Sequence, residues 1–427
     1  MSKFTQTFYP VMGEKLLVAE HESGLKVLFV PRDAGEAFAL FGVKYGALDN
    51  TFTVDGKQIT VPDGIAHFLE HKLFDNEDGE DTFARFAALG AEANAFTSNE
   101  MTAYLFSATE NIHENLETLL NYVTHPYFTP ETVAKEQGII GQEIRMYEDD
   151  PSTRLEFGLL ECLYHNHPIK IDIAGTVESI AEITDKTLYD CYNTFYNLHN
   201  MVLVLCGPFE EDRILSVCDK VLQKAPPFLA KRTTPEEPNT VCKPRFEKNL
   251  PVMMPHFAVG MKETELGGGS DAFLRRVAAQ NVALFCYFSR ASKFFANLYE
   301  KGVLSEVFST AYQYLDSCAY TVWRGESERA QEVAAAIRET IKLAKETELS
   351  DEDFELAKRA VYGEVVQSFN SPWDVCWQWL ANHFLDLDPF RLAEVVPTLT
   401  KDEIYDRISH WDVRLICESY ILPTKGE

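Results

Sequence analysis

Five prolines stand between residues 226 and 244, at Pro226, Pro227, Pro235, Pro238 and Pro244, among charged and polar neighbours. Proline lacks an amide hydrogen and has a fixed φ, so a stretch this dense in it can neither continue a helix nor sit inside a sheet. It divides the 427-residue chain into two runs, each long enough to bury its own core. The expectation is a domain over 1–225, a linker over 226–244 and a second domain over 245–427.

Hydrophobic patterning fills in both runs. Residues 15–19, 25–30 and 37–45 read as strands joined by turn residues such as Glu22-Ser23-Gly24. The period changes after Pro62, where Ile65, Phe68, Leu69, Leu73 and Phe74 recur at helical spacing. A short helix over 82–89, strand-like residues over 94–108 and helices over 112–123 and 130–146 follow, the last with Pro130 in its first turn and an acidic, proline-terminated stop at 147–151. A strand over 201–207 and a helix over 212–224 complete this half. Beyond the linker come a strand over 257–261, a turn at Gly267-Gly268-Gly269 and helical patterns over 272–300, 328–347 and 351–369. Long helices mixed with strands, without strict alternation, predict two layered α+β domains. The order of elements in the two halves runs loosely parallel, with no repeat by identity.

Composition excludes several classes. Apolar and charged fractions of 46% and 25% are those of an ordinary globular protein. A net charge of -27 opposes general binding to nucleic acid, which needs a positive field along the phosphates. It suits either plain solubility or recruitment of basic polypeptide segments. No apolar run reaches the roughly 18 residues of a membrane span, and the N-terminal stretch has no signal-peptide core. The nine cysteines form no Cys-x-x-Cys pair, which suits reduced thiols; the chain is expected in the cytoplasm.

The chemistry concentrates in Gly64-Ile65-Ala66-His67-Phe68-Leu69-Glu70-His71-Lys72. On a helix, residues four apart share a face, so the imidazoles of His67 and His71 can reach one ion at about 2.0–2.1 Å. Glu70 shares that face without being needed as a ligand. A carboxylate beside a zinc site can take a proton from water and return it to a leaving amine. The order His-x-x-Glu-His is that of the inverted zinc peptidases. The alternative, two surface histidines and a solvated glutamate, fits poorly with the apolar neighbours Phe68, Leu69, Leu73 and Phe74. A catalytic zinc takes three protein ligands and keeps a fourth position open. Glu136 and Glu143, two turns apart on the helix over 130–146, are candidates; Ile139, Ile140 and Ile144 around Glu143 point its carboxylate inward, and Glu136 suits a supporting role. The same spacing is common on solvated helix faces.

Four motifs in sequence resemble the insulinase or pitrilysin family of zinc peptidases, which includes the mitochondrial processing peptidase β subunit and short bacterial proteins encoded as pairs. They are Gly64 to His71; Gly90-Ala91-Glu92-Ala93-Asn94-Ala95-Phe96-Thr97-Ser98 with Thr102 and Tyr104; Glu136 and Glu143; and Phe195 to Met201 before Leu205-Cys206-Gly207. The resemblance covers the first half strongly and the second by general layout. It implies two similar domains forming half of a clamshell, one Zn2+ per chain held by His67, His71 and Glu143, Glu70 as general base, and Glu136 as a supporting glutamate. It also implies a cleft-lining strand through Asn94 and Ala95, and hydrolysis of small unfolded peptides inside an enclosure; a non-catalytic assembly or peptide-binding subunit of the same fold is the alternative. Active relatives carry an Arg and, seven residues later, a Tyr in the second domain. Here Tyr299 and Glu306 occupy those positions, with Arg290 and Tyr312 as the nearest substitutes. The expectation is a heterodimer with a homologous chain that lacks the zinc motif and carries the Arg/Tyr pair.

His165-x-His167 beside Pro168 reads as loop histidines, Gly267-Gly268-Gly269 lacks the Lys-Ser/Thr of a phosphate loop, and Trp373, Trp377 and Trp379 read as core or interface.

Overall fold

A computed structural model describes residues 3–33, 35–267 and 269–424. Gly268, the middle of the expected glycine turn, lies outside the described residues, as do the chain ends of the two expected domains.

The first compact unit comprises Met1–Ile144, Ile171–Thr233 and Ser368–Pro389. Its strands are β1 (Thr5–Tyr9), β2 (Glu14–Glu20), β3 (Lys26–Pro31), β4 (Ala37–Val43), β5 (Thr51–Val54), β6 (Lys57–Thr60), β7 (Ala91–Thr97), β8 (Thr102–Ala108), β9 (Met201–Gly207) and β10 (Lys231–Arg232). Seven form one sheet in the order β1-β2-β3-β9-β4-β8-β7, and β10-β5-β6 form a small one. Every residue of β4 and β9 is buried, which is why both read as unbroken apolar runs. Against this sheet pack α1 (Ile65–Lys72), α2 (Thr82–Ala88) and α3 (Ile112–Thr124). The helix α4 (Pro130–Asp149) follows, and Asp150 then caps α5 (Pro151–Leu163), its Oδ1 accepting from the Thr153 N–H at 2.7 Å.

The second unit comprises Arg145–Lys170, Thr234–Gln367 and Phe390–Glu427. Its strands β11 (Arg245–Leu250), β12 (His256–Lys262), β13 (Ser309–Tyr314), β14 (Ala319–Glu326) and β15 (Ile416–Pro423) lie in the order β11-β15-β12-β14-β13. Only the first pair is parallel. The same order and the same senses occur in β3-β9-β4-β8-β7 of the first unit. The loose parallel between the halves is therefore a repeat of topology.

The repeat extends to a reciprocal exchange of helices. Helix α5 joins the second unit, packing on β11, β12 and β15, whereas the helix Pro372–His383 returns to the first and packs on β4 and β9. Each begins with a proline after a side-chain cap, and each drives a leucine onto a sheet glycine. A Cβ on Gly42 of β4 would stand 2.2 Å from Leu380 Cδ1, and one on Gly260 of β12 would stand 3.0 Å from Leu159 Cδ1. Only a residue without a side chain admits the helix this closely. Neither unit is thus the continuous run expected on either side of residues 226–244. The chain passes between the units at five points, after Ile144, Lys170, Thr233, Gln367 and Pro389.

Residues 226–244 are also more anchored than a plain tether. Lys231 and Arg232 pair with β5. Glu237 accepts from the backbone N–H groups of His165, Asn166 and His167 and from the buried Lys262 ammonium. Burial alone would raise its pKa, but these donors outweigh it and hold the carboxyl at about 2. A second departure concerns the helix expected over 272–300. It is two helices, Ser270–Phe288 and Lys293–Glu300, because the Ser292 hydroxyl accepts from the Phe295 N–H and starts a new helix. The tryptophans divide: Trp379 is buried under the helix, whereas Trp373 is 40% exposed and stacks on Trp377.

Candidate metal centre

Gly64 precedes α1 with φ 88°, and a Cβ there would lie 2.4 Å from the Ala174 carbonyl oxygen. That left-handed residue turns the chain from Pro62 into the helix, with Ile65, Ala66, Phe68 and Leu69 all buried. The helix is therefore seated in the core, and its polar residues face one side. His67 and Glu70 are each 8% exposed, and the His67 and His71 ring centroids are 4.6 Å apart.

Helix α4 brings the carboxylates. Val133, Ile140 and Ile144 anchor it to the core, although Ile139, expected on the same face, is 46% exposed. Glu143 Oε1 lies 3.7 Å from His67 Nε2, and Oε2 lies 3.5 Å from His71 Nε2. Two turns back along the face, Glu136 Oε1 meets His71 Nδ1 at 3.1 Å. Among the described residues, His67, His71 and Glu143 are the one group of three such side chains whose donor atoms all lie within 4.8 Å of one another.

These residues fit a tetrahedral ion. Ligands about 2.1 Å from a zinc stand about 3.4 Å from each other, close to the separations found here. Protonation favours it too. Burial, reinforced by the neighbouring His71, pushes the His67 pKa down to about 4, so its ring is neutral with a lone pair to give. For His71, burial works in the same direction, but the Glu136 hydrogen bond and the nearby carboxylates outweigh it and raise the pKa. Its Nδ1, bonded to Glu136, leaves Nε2 as the atom turned to Glu143.

Glu70 faces the same space from α1. Burial raises its pKa, against a hydrogen bond from the Thr97 hydroxyl to Oε2 at 2.8 Å. Thr97 ends β7, and β7 is the edge of the seven-stranded sheet. Asn94 and Ala95 lie on this strand, paired on one side with Leu105 and Tyr104 of β8. Asn94 is exposed, and its Oδ1 accepts from the Ala95 N–H. The free edge offers backbone donors and acceptors to an added strand.

The remaining candidates lie apart. His167 Nε2 pairs with Ser317 Oγ and His165 Nε2 with Thr240 Oγ1, two different hydroxyls. In the second unit Tyr299 is 48% exposed, Arg290 donates to the Glu306 carbonyl, and Tyr312 is buried. Thr97 is the contact to Glu70 that reading along the chain missed: it stands within the Gly90 to Ser98 motif, but the Glu70 it meets is 27 residues away.

Residues 60–177 match the family model described as insulinase, peptidase family M16, and residues 182–361 match the peptidase M16 inactive domain. The chain is 39% identical over 407 residues to a Bacillus subtilis (strain 168) protein described as the uncharacterized zinc protease YmfH, covering 94% of each. It superposes on an M16-like peptidase from Alicyclobacillus acidocaldarius with a TM-score of 0.91 at 34% identity, covering 98% of this chain and 100% of that one. Pitrilysin, at 14% identity and a TM-score of 0.77, shares the fold over all of this chain and 47% of its own. No helix among the described residues is long and apolar enough to cross a membrane.

Proposed function

The chain belongs to the insulinase family of peptidases, M16, and from that membership we propose that it is a zinc-dependent endopeptidase acting on small unfolded peptides. The observation that carries this reading is the meeting of His67 Nε2, His71 Nε2 and the Glu143 carboxylate at the spacing of one tetrahedral ion, with Glu70 beside them. These three residues hold one zinc. A zinc ion held there supplies Lewis acidity, polarising a peptide carbonyl and making water nucleophilic at neutral pH. Glu70 is the general base, taking the proton of the attacking water and delivering it to the departing amide nitrogen. Glu136 fixes the His71 ring through Nδ1. The substrate lies extended along the free edge of β7, past Asn94 and Ala95, bound mainly by its backbone, which selects unfolded chains over side-chain identity.

All four central residues fall within the stretch matched as insulinase, and the stretch matched as an inactive domain begins only at residue 182. That arrangement supports catalysis in this chain over a purely structural subunit. The Arg/Tyr pair expected from the family is replaced by Tyr299 and Glu306. The proposal therefore includes a homologous partner chain, without the zinc motif, that supplies donors to the developing oxyanion.

The test is zinc content and hydrolysis of quenched fluorogenic peptides by the chain, alone and with its genomic neighbour. Wild type should bind about one zinc and cleave, most strongly with the neighbour present. His67→Ala with His71→Ala should lose the metal, and Glu70→Gln should keep it while turnover falls by several orders of magnitude. Full zinc in the double histidine variant, or unimpaired hydrolysis by Glu70→Gln, would overturn the assignment.

A further inference from the structure

We propose that Thr97 is the positioning residue for Glu70: its hydroxyl holds Oε2, which leaves Oε1 as the oxygen that serves the hydrolytic water. The proposal rests on Glu70 acting as the base, and it adds what makes that carboxylate directional.

Glu70 stands on a buried helix, but its own side chain has three rotatable bonds, and a carboxylate free to turn would spend little time facing the water. Among the described residues, Thr97 Oγ1 is the hydrogen-bond donor to Glu70, at 2.8 Å, and Oε1 accepts none. An ionised carboxylate only accepts, so the single hydroxyl hydrogen of Thr97 goes to Oε2. The neighbouring Thr102 hydroxyl, 3.3 Å from Thr97 Oγ1, gives its hydrogen to the Tyr45 carbonyl at 2.9 Å. Thr102 thereby presents only a lone pair to Thr97, and the Thr97 hydrogen goes to the nearer, charged oxygen of Glu70 at 2.8 Å rather than to that lone pair at 3.3 Å.

Thr97 is itself held. It pairs with Thr102 at the end of the β7–β8 hairpin, and the Ser98 N–H closes the turn on the Met101 carbonyl at 2.8 Å. The turn then docks on the backbone that follows β4: Ala47 N–H donates to Ser98 O at 3.0 Å and Leu48 N–H to Asn99 O at 2.9 Å. A Cβ on Gly46 would come within 2.6 Å of Ser98 O, Asn99 O and Met101 N, so the docking requires a glycine there. From the other side Arg232 bonds Asp49 through Nε at 2.7 Å and lies 3.4 Å from Glu100 of the turn. The hydroxyl is therefore carried on a backbone fixed on two sides, the condition under which one hydrogen bond sets a catalytic geometry.

The experiment compares full-length wild type, Thr97→Val, Thr97→Ala, Thr97→Ser and Glu70→Gln for zinc content, thermal melting, and kcat and KM on a quenched fluorogenic peptide that wild type cleaves. Thr97→Val keeps the shape and removes the donor, so kcat should fall about ten- to a hundredfold, the worth of one hydrogen bond to a charged group, with KM and zinc unchanged. Thr97→Ser should recover kcat to within about threefold of wild type. Thr97→Ala should behave as Thr97→Val, and it decides the matter if the valine variant fails to fold. Wild-type kcat in Thr97→Val or Thr97→Ala, loss of zinc in either, or a serine variant as slow as the valine one would overturn the positioning role while leaving the peptidase reading intact. A zinc-loaded wild type that cleaves no peptide, with or without its neighbour, would instead remove the reading on which the role depends.

Discussion

The proposed metal centre combines two imidazoles whose proton affinities are shifted in opposite directions. The buried His67 is neutral well below physiological pH, whereas His71 is held above the ordinary imidazole value by Glu136 and its neighbouring carboxylates. Because a metal needs the unprotonated ring, a proton on His71 competes with zinc. Affinity should be full above the raised pKa and decline as pH falls through it, starting above the ordinary value of about 6.5. Replacing Glu136 by Gln removes the carboxylate that holds the proton, so the decline should begin at lower pH. The same change should cost about tenfold in affinity at high pH, where it only loosens the ring. Chelator-competition titrations across this range measure both effects, and an onset at unchanged pH would show that Glu136 does not set the His71 proton. That His67, Glu70 and His71 come together was legible because one helix carries all three at a spacing that local geometry dictates. Glu143 rested on resemblance, since spacing alone also fits a solvated face. Thr97 was not legible: its partner is distant along the chain, and only the docking of the hairpin turn brings the two together.

At the scale of elements, strands and helices with a strong period were readable, and those set by packing were not. β9 and α1 carry unbroken or periodic apolar patterns, whereas the break at Ser292 depends on one cap within an otherwise helical run. Helix α5 and the helix Pro372–His383 were missed because each is read correctly only beside the sheet that receives it. Their leucine-on-glycine contacts give a direct test. Gly42→Val would force a side chain into the place of Leu380 and should destabilise the first unit by about 2 kcal/mol, the usual cost of overpacking. Leu380→Ala alone should cost about 3 kcal/mol through the cavity it leaves. Combined, the two should cost less than their sum, since the new methyls enter the vacated space. Denaturant unfolding of the four proteins measures the coupling, and strict additivity would mean that the two residues do not meet.

At the scale of the whole molecule, each compact unit gathers three separate stretches of chain, so the runs on either side of the prolines are not the units. The exchange of α5 for the helix Pro372–His383 is invisible to composition, because nothing in either segment marks which sheet it will cover. It follows that the run 1–233 should not fold alone. Its β4 and β9 would stand open where Val375, Cys376, Trp379 and Leu380 belong. That fragment should show no cooperative melt and should bind a hydrophobic dye, and adding a peptide of residues 368–389 should restore a transition; a cooperative melt without the peptide would defeat the expectation. The exchange also has a consequence in time. A ribosome making this chain finishes the seven-stranded sheet at Gly207 and the helix that covers it only at His383, about 176 residues later, a delay on the order of ten seconds or more at about 5–20 residues per second. During that interval the nascent sheet is an open apolar face, and whatever shelters it in the cell must let go when residue 389 emerges.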